Sequence, residues 1–420
     1  MTADPFHDPD TTHADTGADG GGPLAGVRVL DLTSVLMGPY ATQLLGDMGA
    51  DVIKVESPQG DTSRGIGPWR HPGMGASFLH YNRNKRGVCI DLKSEAGREV
   101  LLTLARSADV LVYNVRPAAM KRLRLTWADL SAVNPRLVYA GVFGYGQDGP
   151  YGELPAYDDL IQGAIGLPAL IARSGDGVPR YVPLAFVDRA VGLAAVNAIS
   201  AALYRRERTG RGQSLEVPMF ETMVPFVLGE HMAGHTFVPP LGPIGYARLL
   251  APERRPYRTS DGHVCAVLYT DAHWRSFYAM TGRAAEFASD ARVRTIGERT
   301  KHIAELCEES ARHFLSDTTQ GWLDRLNAAD IPCMRLNTPE SLMTDPHLSA
   351  IGYFREFAHP SEGATLQMRL PATSSEPARE RMLPAPRLGQ HTREVLGEIG
   401  LSPEAIEALV DSRAVVAEPR

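Results

Sequence analysis

Between residues 27 and 217 short β-branched runs alternate with helical stretches, and this alternation limits the fold more than any other feature. Strands are predicted at Val27–Leu32, Asp51–Glu56, Gly87–Leu92, Asp109–Val115, Leu137–Phe143 and Ser214–Val217. Helices are predicted at Tyr40–Met48, Ser94–Ser107 and Trp127–Ala132, with a long alanine-rich one through Ala190–Leu203. That last helix closes on Arg205, Arg206, Arg208 and Gly210, a basic final turn followed by the residue that best accepts a left-handed stop. Strands of one direction need crossover connections, so the expected fold class is α/β with a parallel sheet.

The pattern changes near residue 225. Proline and glycine become frequent, then come a strand at His263–Leu268 and helices at Trp274–Thr281 and Ile303–Leu315. The expected organisation is a large α/β domain over 23–224, a smaller α+β domain over 225–335, and a C-terminal segment over 336–420. The last segment ends in a helix pair, Thr392–Ile399 and Pro403–Ser412. Residues 1–22 hold five aspartates, no Lys or Arg, and a Gly20–Gly22 run. Such a stretch has too little apolar surface to offset its ordering entropy, and a disordered acidic tail is expected.

Composition excludes several function classes. A net charge of −6 speaks against a general nucleic-acid binder. Cys89, Cys265, Cys307 and Cys333 form no CxxC pair, which argues against a disulfide framework or a metal site. No run of 18 apolar residues and no signal-like start occurs. A soluble cytoplasmic protein without a membrane partner is expected.

Gly144-Tyr145-Gly146-Gln147-Asp148-Gly149 matches GxGxxG after a strand, but Pro150-Tyr151-Gly152 follows and no helix opens there. A turn-rich loop is expected instead, and a nicotinamide oxidoreductase is disfavoured. None of the 13 histidines falls between residues 81 and 230, and no GxSxG elbow is present. Carboxylates are left to carry the chemistry. One cluster is Pro155-Ala156-Tyr157-Asp158-Asp159-Leu160-Ile161-Gln162; the other centre is Asp188, read as lying just before the long helix. Each Asp could be a plain N-cap. A helix N-terminus also favours negative charge, so Asp188 is expected to stay ionised as a carboxylate nucleophile must. Arg64, Lys85, Arg86, Lys93, Arg116, Lys121 and Arg122 stand near predicted strand ends, where a phosphate-bearing ligand would need some of them.

The chain resembles the family III CoA transferases from Leu24 to Val415. The resemblance rests on the Pro23–Leu32 run, the Gly38-Pro39 turn, Gly49–Glu56, Asn84-Lys85-Arg86, and Asn114-Val115-Arg116-Pro117. Asn134–Val138, Gly144-Tyr145-Gly146, Thr209-Gly210-Arg211-Gly212-Gln213, Asp261-Gly262 and Leu388–Thr392 complete it. It implies a Rossmann-like large domain, a small domain, a C-terminal return to the large one, and an interlocked homodimer. The implied nucleophile is Asp188, with Asp158 assisting. Implied CoA contacts are Leu36, Met37, Arg64, Lys93, Asn114, Val115, Ala119 and Arg122. The implied substrates are an acyl-CoA thioester and a small carboxylic acid, with no permanently bound cofactor and no metal. Gly242-Pro243-Ile244-Gly245 is a candidate source of oxyanion donors.

Some features depart from the pattern. Leu36-Met37 stands where some members have Gln, Ser57 replaces an Arg of one branch, and the tetraglycine loop of formyl-CoA transferases is missing. These departures argue against formyl-CoA and oxalate as substrates. Two alternatives share the resemblance: an α-methylacyl-CoA racemase-like epimerase and a catalytically silent CoA-binding protein. The racemases pair their Asp with a His, at a position where this chain has Tyr157.

Overall fold

The protein is described here from a computed structural model covering residues 21–375 and 382–418. Nearly all of the expected acidic tail, residues 1–20, lies outside the described residues.

Six parallel strands form the centre: β1 (Arg28–Leu32), β2 (Asp51–Glu56), β3 (Lys85–Ile90), β4 (Val110–Tyr113), β5 (Val138–Phe143) and β6 (Gln213–Pro218). Two short strands, β7 (Tyr257–Arg258) and β8 (His263–Ala266), pair antiparallel with β9 (Cys333–Arg335) in a second sheet. A separate hairpin joins β10 (Phe354–His359) to β11 (Gly363–Met368), and β12 (Val415–Val416) pairs antiparallel with β3. The large sheet runs β12-β3-β2-β1-β4-β5-β6. Apart from the added edge strand this is the doubly wound order, whose direction of growth reverses between β1 and β4.

Both faces of the sheet are covered, and the central strands β4 and β5 read as continuous apolar runs. Leu30, Leu111 and Tyr139 point to one core with the helices Glu95–Arg106, Trp127–Val133, Thr392–Glu398 and Pro403–Asp411. Val29, Val112 and Ala140 point to the other, with the helices Met37–Asp47, Phe186–Thr209 and Met219–His231. The Phe186–Thr209 helix ends on Gly210 at φ 70°, whose N–H donates to the Arg206 carbonyl at 2.8 Å. Two residues on, a Cβ at Gly212 would lie 1.9 Å from the Leu137 carbonyl oxygen. The Thr209–Gln213 motif is thus a steric requirement for feeding β6 alongside β5.

Two expected boundaries move. Residue 225 falls inside a helix, Met219–His231, which carries Pro225 in its interior. The smaller sheet has its own aromatic core of Phe277, Phe314 and Trp322, beginning at Tyr257. Beyond residue 336 the β10–β11 hairpin belongs to neither sheet. The chain rejoins the large one only near Pro386, and His391, Thr392 and β12 pack along β3.

Candidate active site

Open parallel sheets bind ligands outside the carboxyl ends of their strands, at the point where strand order reverses. Here that point lies between Leu32 of β1 and Tyr113 of β4. Asn114, the first residue past β4, bridges the crevice: its Oδ1 accepts from Ser34 N at 3.0 Å and its Nδ2 donates to Ser34 O at 2.8 Å. Both ends of its amide are therefore used to hold the β1 loop.

A buried charge network shapes the same loop. Lys54 Nζ, 0 % exposed, donates to Asp61 Oδ2 at 2.9 Å and to Thr33 O at 3.0 Å. Asp61 Oδ1 in turn accepts from Val35 N at 3.1 Å. Asp31 accepts from Thr33 N, from the Thr42 hydroxyl and from Lys85 Nζ. Burial alone would raise the Asp31 pKa, but Lys85, Lys54 and the two hydroxyls hold it down to about 2. Between these anchors Val35 takes φ 71°, a left-handed conformation that a β-branched residue adopts only under constraint.

Asp188 lies on the helix that packs against the one following this loop. It is the third residue of the Phe186–Thr209 helix rather than a residue ahead of it, and Ala185 at the N-cap offers no side-chain acceptor. The place of that helix is set one turn further on, where a Cβ on Gly192 would come 3.1 Å from Met37 O and 2.9 Å from the Tyr40 ring. The first turns of the Met37–Asp47 and Phe186–Thr209 helices are consequently in contact. Arg189 reinforces the contact, with its guanidinium 5.3 Å from the Tyr40 ring, 5.4 Å from the Tyr81 ring, and bonded to Tyr81 Oη at 2.9 Å.

The missing cap comes from elsewhere in the chain. Asp158 opens the short helix Asp158–Ala164, and its Oδ1 accepts the backbone N–H of Asp188 at 2.8 Å. Its Oδ2 accepts from Gln162 Nε2 at 2.6 Å, while Gln162 Oε1 accepts from Val182 N at 2.9 Å. Asp158 and the fully buried Gln162 thus fasten the segment that carries Asp188. The carboxylate of Asp188 itself has no hydrogen-bond partner among the described residues.

Helix position alone does not set the ionisation of Asp188. Burial first, then the Asp158 charge, push the Asp188 carboxyl up to about 7, against the opposing pull of Arg189. A helix N-terminus contributes half a charge at best, which desolvation and a neighbouring carboxylate outweigh. The N-cap reading of Asp188 fails too, because the cap is Asp158.

The other expected site residues separate into groups. Leu36, Met37, Asn114, Val115 and Ala119 all lie in the two connections at the switch point, although Met37 is 6 % exposed and the Asn114 amide is already engaged. Lys93 follows β3 and Arg122 ends the Pro117–Arg122 helix; both are exposed, with no side-chain partner among the described residues. Arg64 departs from expectation. It is 6 % exposed, clasps both carboxylate oxygens of Glu56 at 2.6 and 2.7 Å, donates to Pro386 O, and lies 3.8 Å from the Phe78 ring centre. No donor remains for a phosphate.

Lys85 and Arg86 are structural as well, the first paired with Asp31 and the second with Asp51, Glu394 and Glu398. In the 242–245 segment the Gly245 N–H is already bonded to His231 O at 2.8 Å and Pro243 has no N–H, which leaves little for an oxyanion. The Gly144–Gly149 loop is turn-rich as expected and is pinned by Glu221 Oε1 to Gly146 N at 2.9 Å. Reading the sequence missed Gln162 and Arg189 as site residues. Gln162 stands four residues after Asp158, a spacing that puts both on one helix face and was the available signal.

These features define an α/β protein whose parallel sheet reverses its strand order between β1 and β4, with an unpaired, partly desolvated carboxyl on a neighbouring helix. The profile of CoA-transferase family III matches residues 24–392, and the chain belongs to that family. It is a CoA transferase in class. The succinate–glutarate CoA-transferase of Agrobacterium fabrum is 32 % identical over 393 residues, covering 90 % of this chain and 96 % of the relative. A formyl-CoA:oxalate CoA-transferase of Streptomyces coelicolor is 32 % identical over 420 residues, covering 93 % and 99 %. Among solved structures, Rv3272 of Mycobacterium tuberculosis superposes with a TM-score of 0.77 at 29 % identity, covering 89 % of this chain and 99 % of the other. A CaiB/BaiF family protein of Brucella suis gives 0.75 at 30 % identity, covering 90 % and 100 %.

Proposed function

We propose that the protein moves CoA from an acyl-CoA to a free carboxylic acid by covalent catalysis at Asp188. The observation that carries this reading is the Asp188 carboxyl, unpartnered and partly desolvated, on a helix packed against the one that follows the β1 loop. One carboxylate oxygen attacks the donor thioester carbonyl; the C–S bond breaks, leaving a mixed anhydride and CoA thiolate. The thiolate then attacks the aspartyl carbonyl and expels the donor acid, so Asp188 carries CoA as a thioester. The acceptor carboxylate attacks that thioester, and the released thiolate returns to the new acyl group and frees Asp188. A carboxylate is weakly nucleophilic in water. The raised pKa makes Asp188 more basic, and its removal from solvent lowers the cost of desolvation during attack.

Leu36, Met37, Asn114, Val115 and Ala119 would line the CoA path. The unpaired Lys93 and Arg122 would meet phosphate groups, and Arg64 is withdrawn from the set. Asp158 acts in this reading by positioning Asp188. Tyr157, 68 % exposed at the N-cap of the Asp158 helix, has no second histidine-type base to offer, which favours transfer over racemisation. Succinyl-CoA with glutarate is the first pair to test, given the relative that carries those names. We propose a cytoplasmic homodimer. Tyr204 and Leu241, 66 % and 75 % exposed, are the kind of residue a partner chain would cover.

The decisive assay incubates the protein with succinyl-CoA or acetyl-CoA and a panel of carboxylates and follows new acyl-CoA by mass spectrometry. New thioesters in an Asp188-dependent reaction support the proposal. Inert acceptors together with epimerisation of an α-methylacyl-CoA would establish the racemase reading, and binding of CoA without either reaction would establish a silent binder.

A further inference from the structure

A cavity of about 240 Å³ opens in the smaller domain, and none of its lining residues belongs to the switch-point loops or to the Asp188 helix. Its walls are apolar, built from Tyr257, Ala266, Leu268, Trp274, Ile303 and Cys307. Three guanidinium groups stand around it, Arg248, Arg254 and Arg255. No acidic side chain pairs with any of them among the described residues, and Arg248 only stacks over Tyr269, 5.3 Å from the ring centre. Arg283, Arg292, Arg299 and Arg325 of the same domain do have carboxylate partners.

A second observation points the same way. Trp274 is 3 % exposed, and its indole N–H is buried without an acceptor. Buried donors are almost always paired, so an orphan on the wall of a cavity marks a place where an acceptor fits. Glu253 lies next to Arg254 and supplies one negative charge near Cys307, whose thiol is pushed up chiefly by burial. One of its carboxylate oxygens is also buried and unpaired. Three positive charges against one leave the cavity cationic, while Glu253 would repel a second anionic group.

We propose that this cavity binds a free monocarboxylic acid with a short apolar body. The carboxylate meets the Arg254 and Arg255 guanidinium groups and the Trp274 N–H, and the hydrocarbon lies against Leu268 and Ile303. Guanidinium is suited to planar carboxylates, and an apolar pocket with a few convergent donors is the usual form of a small-ligand site. The site is independent of the chemistry proposed for Asp188.

The test uses the full-length protein at low salt. Isovalerate, its neutral isostere isovaleramide, and glutarate are titrated by calorimetry and by thermal shift, with indole fluorescence compared between wild type and Trp274→Phe. Isovalerate is expected to bind and raise the melting temperature, isovaleramide to bind at least about tenfold more weakly, and glutarate to bind no better than isovalerate. The Arg254→Ala/Arg255→Ala variant alters only exposed side chains and is expected to fold and to lose about tenfold in isovalerate affinity. Asp188→Asn is expected to bind isovalerate as wild type does. Equal binding of the amide, no binding of either ligand, unchanged affinity in the double Arg variant, tighter binding of glutarate, or loss of binding in Asp188→Asn would each overturn the proposal. Isovalerate binding here without any CoA transfer would sink the Asp188 reading and leave this one standing.

Discussion

The backbone N–H of Asp188 donates to Oδ1 of Asp158 at 2.8 Å, so one acidic residue caps the helix that presents the other. The arrangement does two things at once. It fixes Asp188 in space, and it places a second negative charge close enough to add to the rise in pKa that burial causes. A helix capped by its own N-cap side chain would give the first effect without the second.

Replacing Asp188 with Ala or Asn removes the proposed nucleophile. CoA transfer should fall by roughly 10³-fold or more, while calorimetric binding of CoA stays within a few-fold of wild type. Trapping of an enzyme–CoA thioester by mass spectrometry should be lost in the variants. An adduct on Asp158 in the wild type would refute the assignment.

The pH dependence follows from the Asp188 carboxyl, which lies near 7 in the free protein. Only the ionised form attacks, so kcat/KM should rise about tenfold per pH unit below 7 and level off above it. Stability should move the opposite way. The folded protein holds the Asp188 proton more tightly than the unfolded chain, whose value is 3.8. This group's contribution is therefore largest below pH 3.8 and is lost as pH rises through 7. Asp188→Asn should raise the melting temperature at pH 8 and leave it nearly unchanged at pH 4.

Asp158 can be divided into charge and cap. Asp158→Asn keeps an oxygen for the Asp188 N–H but removes the charge, and the midpoint of the pH–rate profile should shift to lower pH. Asp158→Ala removes both. It should cost about 1 kcal/mol of stability as a lost cap, and it should lower kcat as well as move the midpoint. Equal profiles for the two variants would show that the cap is unimportant.

The two kinds of arginine separate cleanly. Arg64→Ala leaves Glu56 buried without its partner and should destabilise the fold by about 3–5 kcal/mol in urea unfolding. Lys93→Ala and Arg122→Ala should leave the unfolding midpoint unchanged and raise KM for the acyl-CoA several-fold, with a weaker salt dependence of that KM.

Val35→Gly tests the strained loop. Glycine accepts φ 71° without a Cβ penalty, so relief of strain should offset the added freedom of the unfolded chain and leave stability within about 1 kcal/mol. A less rigid loop should weaken CoA binding, raising KM more than it changes kcat. Wild-type KM in this variant would mean the left-handed turn has no part in binding.

Much of the framework was legible in the sequence because its causes are local. The Asp51–Glu56 strand was placed at its observed ends, and most other elements of the sheet fall within two or three residues. Alternation of β-branched runs with helical periods implies crossovers, and the Thr209–Gln213 motif is dictated by one steric contact at Gly212. The β10–β11 hairpin and β12 were not foreseen; β12 is only two residues long and exists through its pairing with β3.

By itself, then, the sequence determined the alternating α/β framework, the Thr209–Gln213 turn and the position of an acidic residue at the start of the long helix. Tertiary structure alone decided what each charge does. Arg64, Lys85 and Arg86 look alike as cations near strand ends, yet Arg86 is consumed by Glu394 and Glu398, more than 300 residues away. Asp188 keeps an unpaired carboxyl, while the oxygens of its neighbour Asp158 accept from the Asp188 N–H and from Gln162. Backbone periodicity and turn sterics depend on neighbours in the chain, whereas desolvation and charge pairing depend on neighbours in space.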